Sequence, residues 1–283
     1  MSHQKLLLTL AVLLMALIVT ACGPAAASTL EVEANIPQIT ITATDYAFEA
    51  PAKIEAGLVS INLVNEGQEP HHVQFARLND GVTLEQFQSA LQQGPEGAFP
   101  LVTWAGGVGL LGNSASQQVT VELTPGQYVL LCFMTDHEGV PHLAKGMMAA
   151  VEVVEGAEQA EAPEIKADAT INLLDFSFTL PAEVKAGQQV WQIVNQGEQV
   201  HELALIKLAE GKTMADVAAF MEAPHGVPPF EFAGGLQAVD PGETGWLTLD
   251  LRPGNYVAMC HVPDPATGHA HFEMGMVMPF SVK

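Results

Sequence analysis

The sequence predicts an all-β protein made of two tandem Greek-key β-sandwiches, each with one short helical insertion. Runs of alternating apolar and polar residues, rich in Val, Ile and Thr, are bounded by Gly and Pro, as is typical of short strands. One capped helical stretch follows the third of these runs. The whole order of elements then repeats at an offset of about 130 residues, and so long a period indicates duplicated domains.

The N-terminal segment is predicted to be a targeting signal. Residues 1–21 combine a short basic start with an apolar run of signal-peptide length. The four residues VTAC at 19–22 resemble a bacterial lipobox, which implies that Cys22 carries a lipid anchor. Residues 22–35 are small and polar and are predicted to form a tether. An ordinary signal peptide or an uncleaved anchor are the alternatives. Each of them places the mature chain outside the cytoplasm, and the lipoprotein would lie on the cell surface or the periplasmic face.

The chain is strongly acidic. It has 32 Asp and Glu residues against 10 Lys and Arg residues, and its formal net charge is −22. Such a charge argues against nucleic acid or an anionic membrane face as a partner. It suits attraction to a basic protein partner, an effect that salt would screen, although solubility alone also accounts for it.

The first repeat, residues 36–154, reads as a succession of short strands. The segment 36–51 alternates like one strand that ends at Pro51, and a Gly-rich segment with the letters WAGG occurs at 104–107. The other predicted strands are Val59–Val64, His71–Leu78, Ser116–Leu123, Gln127–Cys132 and Met147–Val154.

The second repeat, residues 168–283, follows an acidic, Ala-rich stretch at 155–167 that is predicted to be a linker. ATINLLDFSFTLP at 169–181 matches ITITATDYAFEAP at 39–51, and FAGG at 232–235 corresponds to WAGG in the first repeat.

A helical signature follows the third strand of each repeat. Thr83 can cap the first helix, and the apolar residues of the second recur at helical spacing. The predicted apolar faces consist of Leu84, Phe87 and Leu91 in the first repeat and of Met214, Val217, Phe220 and Met221 in the second.

The residues that point to chemistry lie in two corresponding stretches. PGQYVLLCFMTDHEGVPHLAKGMM occupies residues 125–148, and PGNYVAMCHVPDPATGHAHFEMGM occupies residues 253–276. Each has a Cys four residues after a Tyr, an Asp four residues after the Cys, and a His five residues before a Met. One His lies far upstream in each repeat, His71 in the first and His201 in the second. Thiolate, imidazole and thioether together favour a soft, redox-active metal.

This arrangement resembles the cupredoxin, or blue copper, family, which includes plastocyanin and azurin. The resemblance covers nearly all of both repeats and implies one type 1 copper site per repeat at most, with electron transfer to a redox protein partner. The implied equatorial ligands are His71, Cys132 and His142 in the first repeat and His201, Cys260 and His271 in the second, with Met147 and Met276 as the respective axial ligands.

One departure from the family concerns the loop between the Cys and its His. Only a few residues separate them in well-known blue copper proteins, whereas nine intervene here in the first repeat and ten in the second. His137 is therefore an alternative loop ligand, but Pro265 occupies about the corresponding place in the second repeat. A disulfide between Cys132 and Cys260 is a further alternative use of the two thiols.

Three other functions remain open from the sequence. Multicopper oxidases and copper nitrite reductases also join cupredoxin units, but they need additional histidines, for which only His261 and the His269–His271 pair are candidates. A copper storage or delivery protein could use a softer surface, and a metal-free binding module could use the same fold. The residues of that softer surface would be His72, His261, His269, Met148, Met274 and Met278.

Overall fold

The computed structural model describes residues 36–156, 163–223 and 225–283. The signal segment 1–21, the lipid attachment at Cys22 and the tether 22–35 lie outside these residues and stay predictions. The predicted linker 155–167 lies inside them only in part. Within the described residues, no helix is long and apolar enough to cross a membrane.

Short strands dominate both repeats. The strands of the first repeat are β1 (Gln38–Thr44), β2 (Ala47–Glu49), β3 (Lys53–Glu55), β4 (Gly57–Asn65), β5 (His71–Leu78), β6 (Val102–Leu111), β7 (Ser116–Leu123), β8 (Gly126–Leu131) and β9 (Met148–Val154). Those of the second repeat are β10 (Ala169–Leu174), β11 (Ser177–Thr179), β12 (Gly187–Asn195), β13 (His201–Leu208), β14 (Phe230–Val239), β15 (Thr244–Leu251), β16 (Gly254–Met259) and β17 (Val277–Val282).

The strands form two sheets, and each sheet runs through both repeats. The eight-stranded sheet has the order β11-β10-β12-β15-β7-β4-β1-β2, and the nine-stranded sheet has the order β17-β16-β13-β14-β6-β5-β8-β9-β3. Antiparallel pairing of β7 with β15 and of β6 with β14 joins the repeats. The predicted fold class, two β-sandwiches with short helical insertions, is confirmed. The repeats additionally share continuous sheets, which periodicity within each repeat does not indicate.

The main apolar core lies between the two sheets. Ile41 and Val119 from the eight-stranded sheet and Phe75 and Leu130 from the nine-stranded sheet are all almost completely buried there. Burial of each such side chain contributes about 1.5–3 kcal/mol to folding. Because successive strand residues face opposite sides, this core determines which residues of β5 and β13 face inwards.

Short helices cover the outer face of the nine-stranded sheet. They are α1 (Leu84–Gln93), α2 (Pro95–Ala98) and α3 (Met214–Glu222). Thr83 and Thr213 begin α1 and α3 with capping boxes. Phe87 of α1 and Val217 of α3 are buried against the sheet as predicted, whereas Met221 is 62% exposed.

The segment 36–51, predicted as one strand, is a hairpin of two strands. The chain turns at Asp45 and Tyr46, where Tyr46 has a φ of 69°. Phe176 has a φ of 63° at the corresponding turn of the second repeat. Alternation continues through the turn, so periodicity alone does not reveal it. The turn brings Asp45 and Asp175 towards the start of the histidine strand in each repeat.

The Gly-rich segments lie in the central strands β6 and β14. Gly107 and Gly235 have φ angles of 137° and 144°, and a Cβ at either would lie within 2.0 Å of the carbonyl oxygen of Val73 or of Leu203. The registers of β5 and β13 shift at these points. Glycine is therefore required for the bulges that connect the histidine strands to the junction of the repeats.

Candidate metal centres

The first repeat brings three of its predicted ligands together at one end of the sandwich. Cys132 Sγ lies 4.0 Å from His71 Nδ1 and 3.6 Å from His142 Nδ1, and the two Nδ1 atoms are 3.1 Å apart. All three side chains are fully buried. His71 begins β5, Cys132 directly follows β8, and His142 begins a short 3₁₀ helix, His142–Lys145.

The second repeat forms an equivalent cluster. Cys260 Sγ lies 3.9 Å from His201 Nδ1 and 3.5 Å from His271 Nδ1, and the two Nδ1 atoms are 3.0 Å apart. These three side chains are also fully buried. Among the described residues, these two clusters are the groups of three or more His, Cys, Asp or Glu side chains that could hold a metal ion.

The long loop between Cys and His folds back on itself as a small hairpin. In the first repeat, Thr135 bridges to Pro141, and the N–H of His142 donates to the carbonyl oxygen of Met134 over 2.7 Å. In the second repeat, Pro263 bridges to Ala270 in the same way. The extra residues therefore leave the site and return, so the unusual spacing does not separate the ligands.

A buried Asp holds the tip of each hairpin. Asp136 Oδ1 accepts hydrogen bonds from the N–H groups of Glu138 and Val140. Its carboxylate also pairs with Lys145, which lowers the pKa of Asp136 to about 2. Asp264 Oδ1 accepts from the N–H groups of Ala266 and Thr267. Both Asp residues therefore stabilise turns through their own backbone neighbours.

Oxygen acceptors orient the imidazoles of the first repeat. His71 Nε2 lies 3.1 Å from Asp45 Oδ1, and His142 Nε2 lies 2.8 Å from Glu69 Oε2. An ionised carboxylate only accepts, so we assign the proton of each ring to Nε2 and a lone pair to Nδ1, which faces the cluster. Burial lowers the pKa of His71, which favours the neutral ring that a metal ion requires.

The second repeat uses one carboxylate and one amide for the same purpose. His201 Nε2 lies 2.9 Å from Asp175 Oδ1, and His271 Nε2 lies 3.0 Å from Gln199 Oε1. The amide nitrogen of Gln199 donates to Asp264 Oδ2 over 3.1 Å, which turns the amide oxygen towards His271. Burial lowers the pKa of both His201 and His271.

Glycine permits the close approach of Asp to His. A Cβ at Gly67 would lie 2.5 Å from Asp45 Oδ1 and 2.6 Å from His71 Nε2. Gly197 has the corresponding position in the second repeat, with a 2.6 Å approach to His201 Nε2. Asn65 Oδ1 accepts from the N–H of Gly67 and thereby holds the loop that carries Glu69. The loop before each histidine strand is thus part of the site.

The two cysteines are free thiols, so the alternative disulfide between them is not formed. Burial raises the pKa of the Cys132 thiol to about 11. Burial and the charge of Glu202 raise the pKa of Cys260 well above its ordinary value. A metal ion entering either site must therefore displace a thiol proton.

The donor set and spacing fit a copper ion. Bonds of about 2.0 Å to imidazole and about 2.3 Å to thiolate, as in zinc sites, separate three trigonal donors by about 3.5 Å. The separations in both clusters, 3.0 to 4.0 Å, scatter around this distance. Two unprotonated Nδ1 atoms in contact repel each other unless a positive charge lies between them. The soft thiolate favours copper over a hard cation.

The predicted axial residues each follow the loop histidine of their repeat by five positions. Met147 and Met276 are fully buried, and the N–H of each donates to the carbonyl oxygen of the loop histidine, His142 or His271. Their role as axial ligands stays a prediction.

The remaining candidate residues lie elsewhere. His137 is exposed and faces Glu69, so the alternative loop ligand does not enter the cluster. His72 Nε2 accepts from the N–H of Phe133, and His261 pairs with Glu202. The other members of the proposed copper(I) surface have separate surroundings: His269 faces Glu273, Met148 and Met274 accept hydrogen bonds from Gln88 and Thr267, and Met278 packs against the core.

Sequence reasoning missed four residues that contact the ligands: Asp45, Glu69, Asp175 and Gln199. The sequence did contain a sign of these four residues. Asp45 and Asp175 occupy the same place in the matched segments, and Glu69 and Gln199 each lie two positions before the upstream histidine of their repeat. Each lies far along the chain from the cysteine loop, so only the fold shows the contact.

The resemblance to cupredoxins is confirmed by two His-Cys-His clusters within a two-sandwich fold. No family model and no curated protein matches the chain. Solved structures match at low similarity. A dithionite-reduced auracyanin from the photosynthetic bacterium Roseiflexus castenholzii is 19% identical with a TM-score of 0.27, and the match covers 41% of this chain and 96% of that one.

Two larger copper proteins also match. A multicopper oxidase is 17% identical with a TM-score of 0.26, and the match covers 87% of this chain and 88% of that one. A copper nitrite reductase from Nitrosomonas europaea is 12% identical with a TM-score of 0.25, over 88% of this chain and 94% of that one. Similarities this low carry no conclusion about activity.

Proposed function

We propose that this protein is an extracytoplasmic electron carrier that binds one type 1 copper ion in each repeat and is anchored to the membrane through a lipid on Cys22. One observation carries the copper proposal. In each repeat, two buried imidazole Nδ1 atoms lie 3.0–3.1 Å apart beside a buried cysteine sulfur.

A bound copper ion would supply a one-electron redox couple. The residues that would hold it are His71, Cys132, His142 and Met147 in the first repeat and His201, Cys260, His271 and Met276 in the second. The chain keeps these donors at the ends of paired strands, with each imidazole hydrogen-bonded on its far side. Such a rigid arrangement suits both copper oxidation states, so little reorganises when an electron moves.

The chain also excludes water from both sites. Every one of the six His and Cys donors and both methionines has a fractional exposure of 0%. Phe133 and Val262, which follow the two cysteines closely, pack with the apolar clusters of the sheet. A dry site strengthens electrostatic interactions and keeps small molecules from the copper, which favours electron transfer over reaction with a substrate.

The partner we propose is a redox protein with a basic surface. The formal net charge of −22 would attract such a protein, and nucleic acid would be repelled. A steep decline of the electron-transfer rate with rising salt is the expected result for this kind of partner.

Titration of the purified protein with copper(II) tests the proposal. The expected result is two copper ions per chain and an intense visible absorption from thiolate-to-copper charge transfer. Cys132→Ser and Cys260→Ser should each remove one copper ion and the corresponding absorption, and the double variant should remove both. A wild-type protein that stays metal-free and colourless would refute the proposal.

Two further measurements decide between the alternatives. Copper(I) binding without colour would favour storage or delivery. Oxygen or nitrite consumption by the copper-loaded protein would favour an enzyme. We propose the carrier because each cluster joins two imidazoles and one cysteine sulfur in a fully buried site.

A further inference from the structure

The two clusters differ in the group that accepts the hydrogen bond of the loop histidine. Glu69 and Gln199 occupy corresponding positions, each two residues before the upstream histidine of its repeat. Glu69 places a carboxylate oxygen 2.8 Å from His142 Nε2, whereas Gln199 places an amide oxygen 3.0 Å from His271 Nε2. The two contacts have similar geometry, but the accepting group is a carboxylate in the first repeat and a neutral amide in the second.

The surroundings of Glu69 hold its carboxylate in place. Tyr46 Oη donates to Glu69 Oε2 over 3.3 Å, and the Tyr46 ring packs edge-on against His142 with centroids 5.0 Å apart. Lys145 contacts Tyr46 but forms its ion pair with Asp136, so its charge is already compensated. In the second repeat Phe176 replaces Tyr46 against the loop histidine.

The other carboxylates near the clusters do not reproduce this difference. Asp45 and Asp175 contact the upstream histidines in the same way in both repeats, so their effects cancel in a comparison. Glu202 is buried near Cys260, but its carboxylate bonds to the backbone N–H and the ring of His261. The backbone N–H of Glu202 donates to Cys260 Sγ, but of the two carboxylates only that of Glu69 contacts a ligand side chain directly.

We propose that Glu69 makes the copper site of the first repeat lower in reduction potential than the site of the second repeat, where Gln199 is neutral. This inference rests on the proposed copper-binding function. Copper(II) carries one more positive charge than copper(I), so a negative charge on the far side of a ligand imidazole stabilises the oxidised site. When one molecule carries a single electron, the copper site of the second repeat is then the reduced one, because its reduction potential is higher.

The experiment uses single-site forms of the full chain. Cys260→Ser isolates the first site, and Cys132→Ser isolates the second. We expect the Cys260→Ser form to have the lower midpoint potential in a spectroelectrochemical titration of the blue absorption. Glu69→Gln in this form should raise the potential, with about a tenfold change in the Cu(II)/Cu(I) ratio at fixed potential, or about 59 mV.

Matched controls separate this effect from the effect of changing the net charge of the protein. Glu138→Gln makes the same substitution at an exposed position on the loop of the first repeat and should leave the potential unchanged. Gln199→Glu should lower the potential of the second site, whereas Gln196→Glu, at an exposed position, should not. Glu202→Gln should raise the second potential by less than Glu69→Gln raises the first.

The outcomes are distinguishable from a failure of the copper proposal. A single-site form that binds no copper refutes the proposed function, and this inference with it. If copper binds with full colour but Glu69→Gln leaves the potential unchanged, only this inference is refuted. A larger effect of Glu202→Gln than of Glu69→Gln would also refute it, because the asymmetry would then arise at Cys260.

Discussion

At the scale of single residues, the metal-binding geometry depends on side chains that do not touch the metal position. Asp45 Oδ1 accepts from the N–H groups of Gln68 and Glu69 and contacts His71 Nε2. Partial burial raises the pKa of Asp45, but these hydrogen bonds outweigh it, and the net pKa lies below its ordinary value. Asp45 is therefore ionised at neutral pH and keeps the proton of His71 on Nε2.

We predict that Asp45→Asn weakens copper binding at the first site about 10- to 100-fold, because a neutral amide cannot hold the imidazole and two backbone N–H groups equally well. Asp175→Asn should do the same at the second site. Competition titrations against a copper chelator measure both effects. Asp80→Asn is the control, since the Asp80 side chain is 95% exposed. Unchanged affinity in the Asp45→Asn protein would contradict the assigned role.

At the scale of elements, the loop between Cys and His decides whether three separate residues become one site. The predicted strands, the helix caps and the turn-forming Asp residues follow from local sequence, and the structure contains them. The return of the loop does not follow, because the hydrogen bond from His142 to Met134 depends on how two segments pair. Local sequence likewise did not predict that the segment 36–51 divides into two strands, because that also depends on how two segments pair.

We predict that Asp136→Ala loosens the first hairpin and weakens copper binding there by roughly tenfold, with the second site unaffected. Asp264→Ala should show the reverse pattern. Hydrogen exchange of the amides at residues 138 and 140 should accelerate in the Asp136→Ala protein, since they lose their acceptor. Glu138→Ala, on the same loop with an exposed side chain, should change neither measurement.

At the scale of the whole molecule, the repeats are joined by main-chain pairing and by polar contacts across the junction. Gln74 of the first repeat donates to the carbonyl oxygen of Ala238 in the second over 3.0 Å, and the N–H of Asp240 donates to the carbonyl oxygen of Trp104. Asp240 is half-buried there. Burial raises the pKa of Asp240 to about 6, and the charge of Glu243 acts in the same direction.

We predict that Asp240→Asn stabilises the protein at pH 7 to 8 by about 1–2 kcal/mol. The folded state favours protonated Asp240. The stability that this group contributes is therefore fully present below the pKa that Asp240 has in the unfolded chain. It is lost as the pH rises through about 6. Asn does not titrate, so the gain over wild type should disappear near pH 4. Urea unfolding at both pH values measures it, and equal stability at pH 7.5 would contradict the prediction.

Alternation, turn residues and the internal repeat were sufficient to predict two β-sandwiches and the members of the two His-Cys-His clusters, because these signals are periodic or recur in register. The junction of the sheets, the strand character of the Gly-rich segments and the hydrogen-bond acceptors of the ligand histidines could not be obtained this way. They depend on residues that are distant along the chain and come together only when strands pair. Glu69 and Gln199 illustrate the limit: their letters are visible in the sequence, but their contact with His142 and His271 exists only after folding.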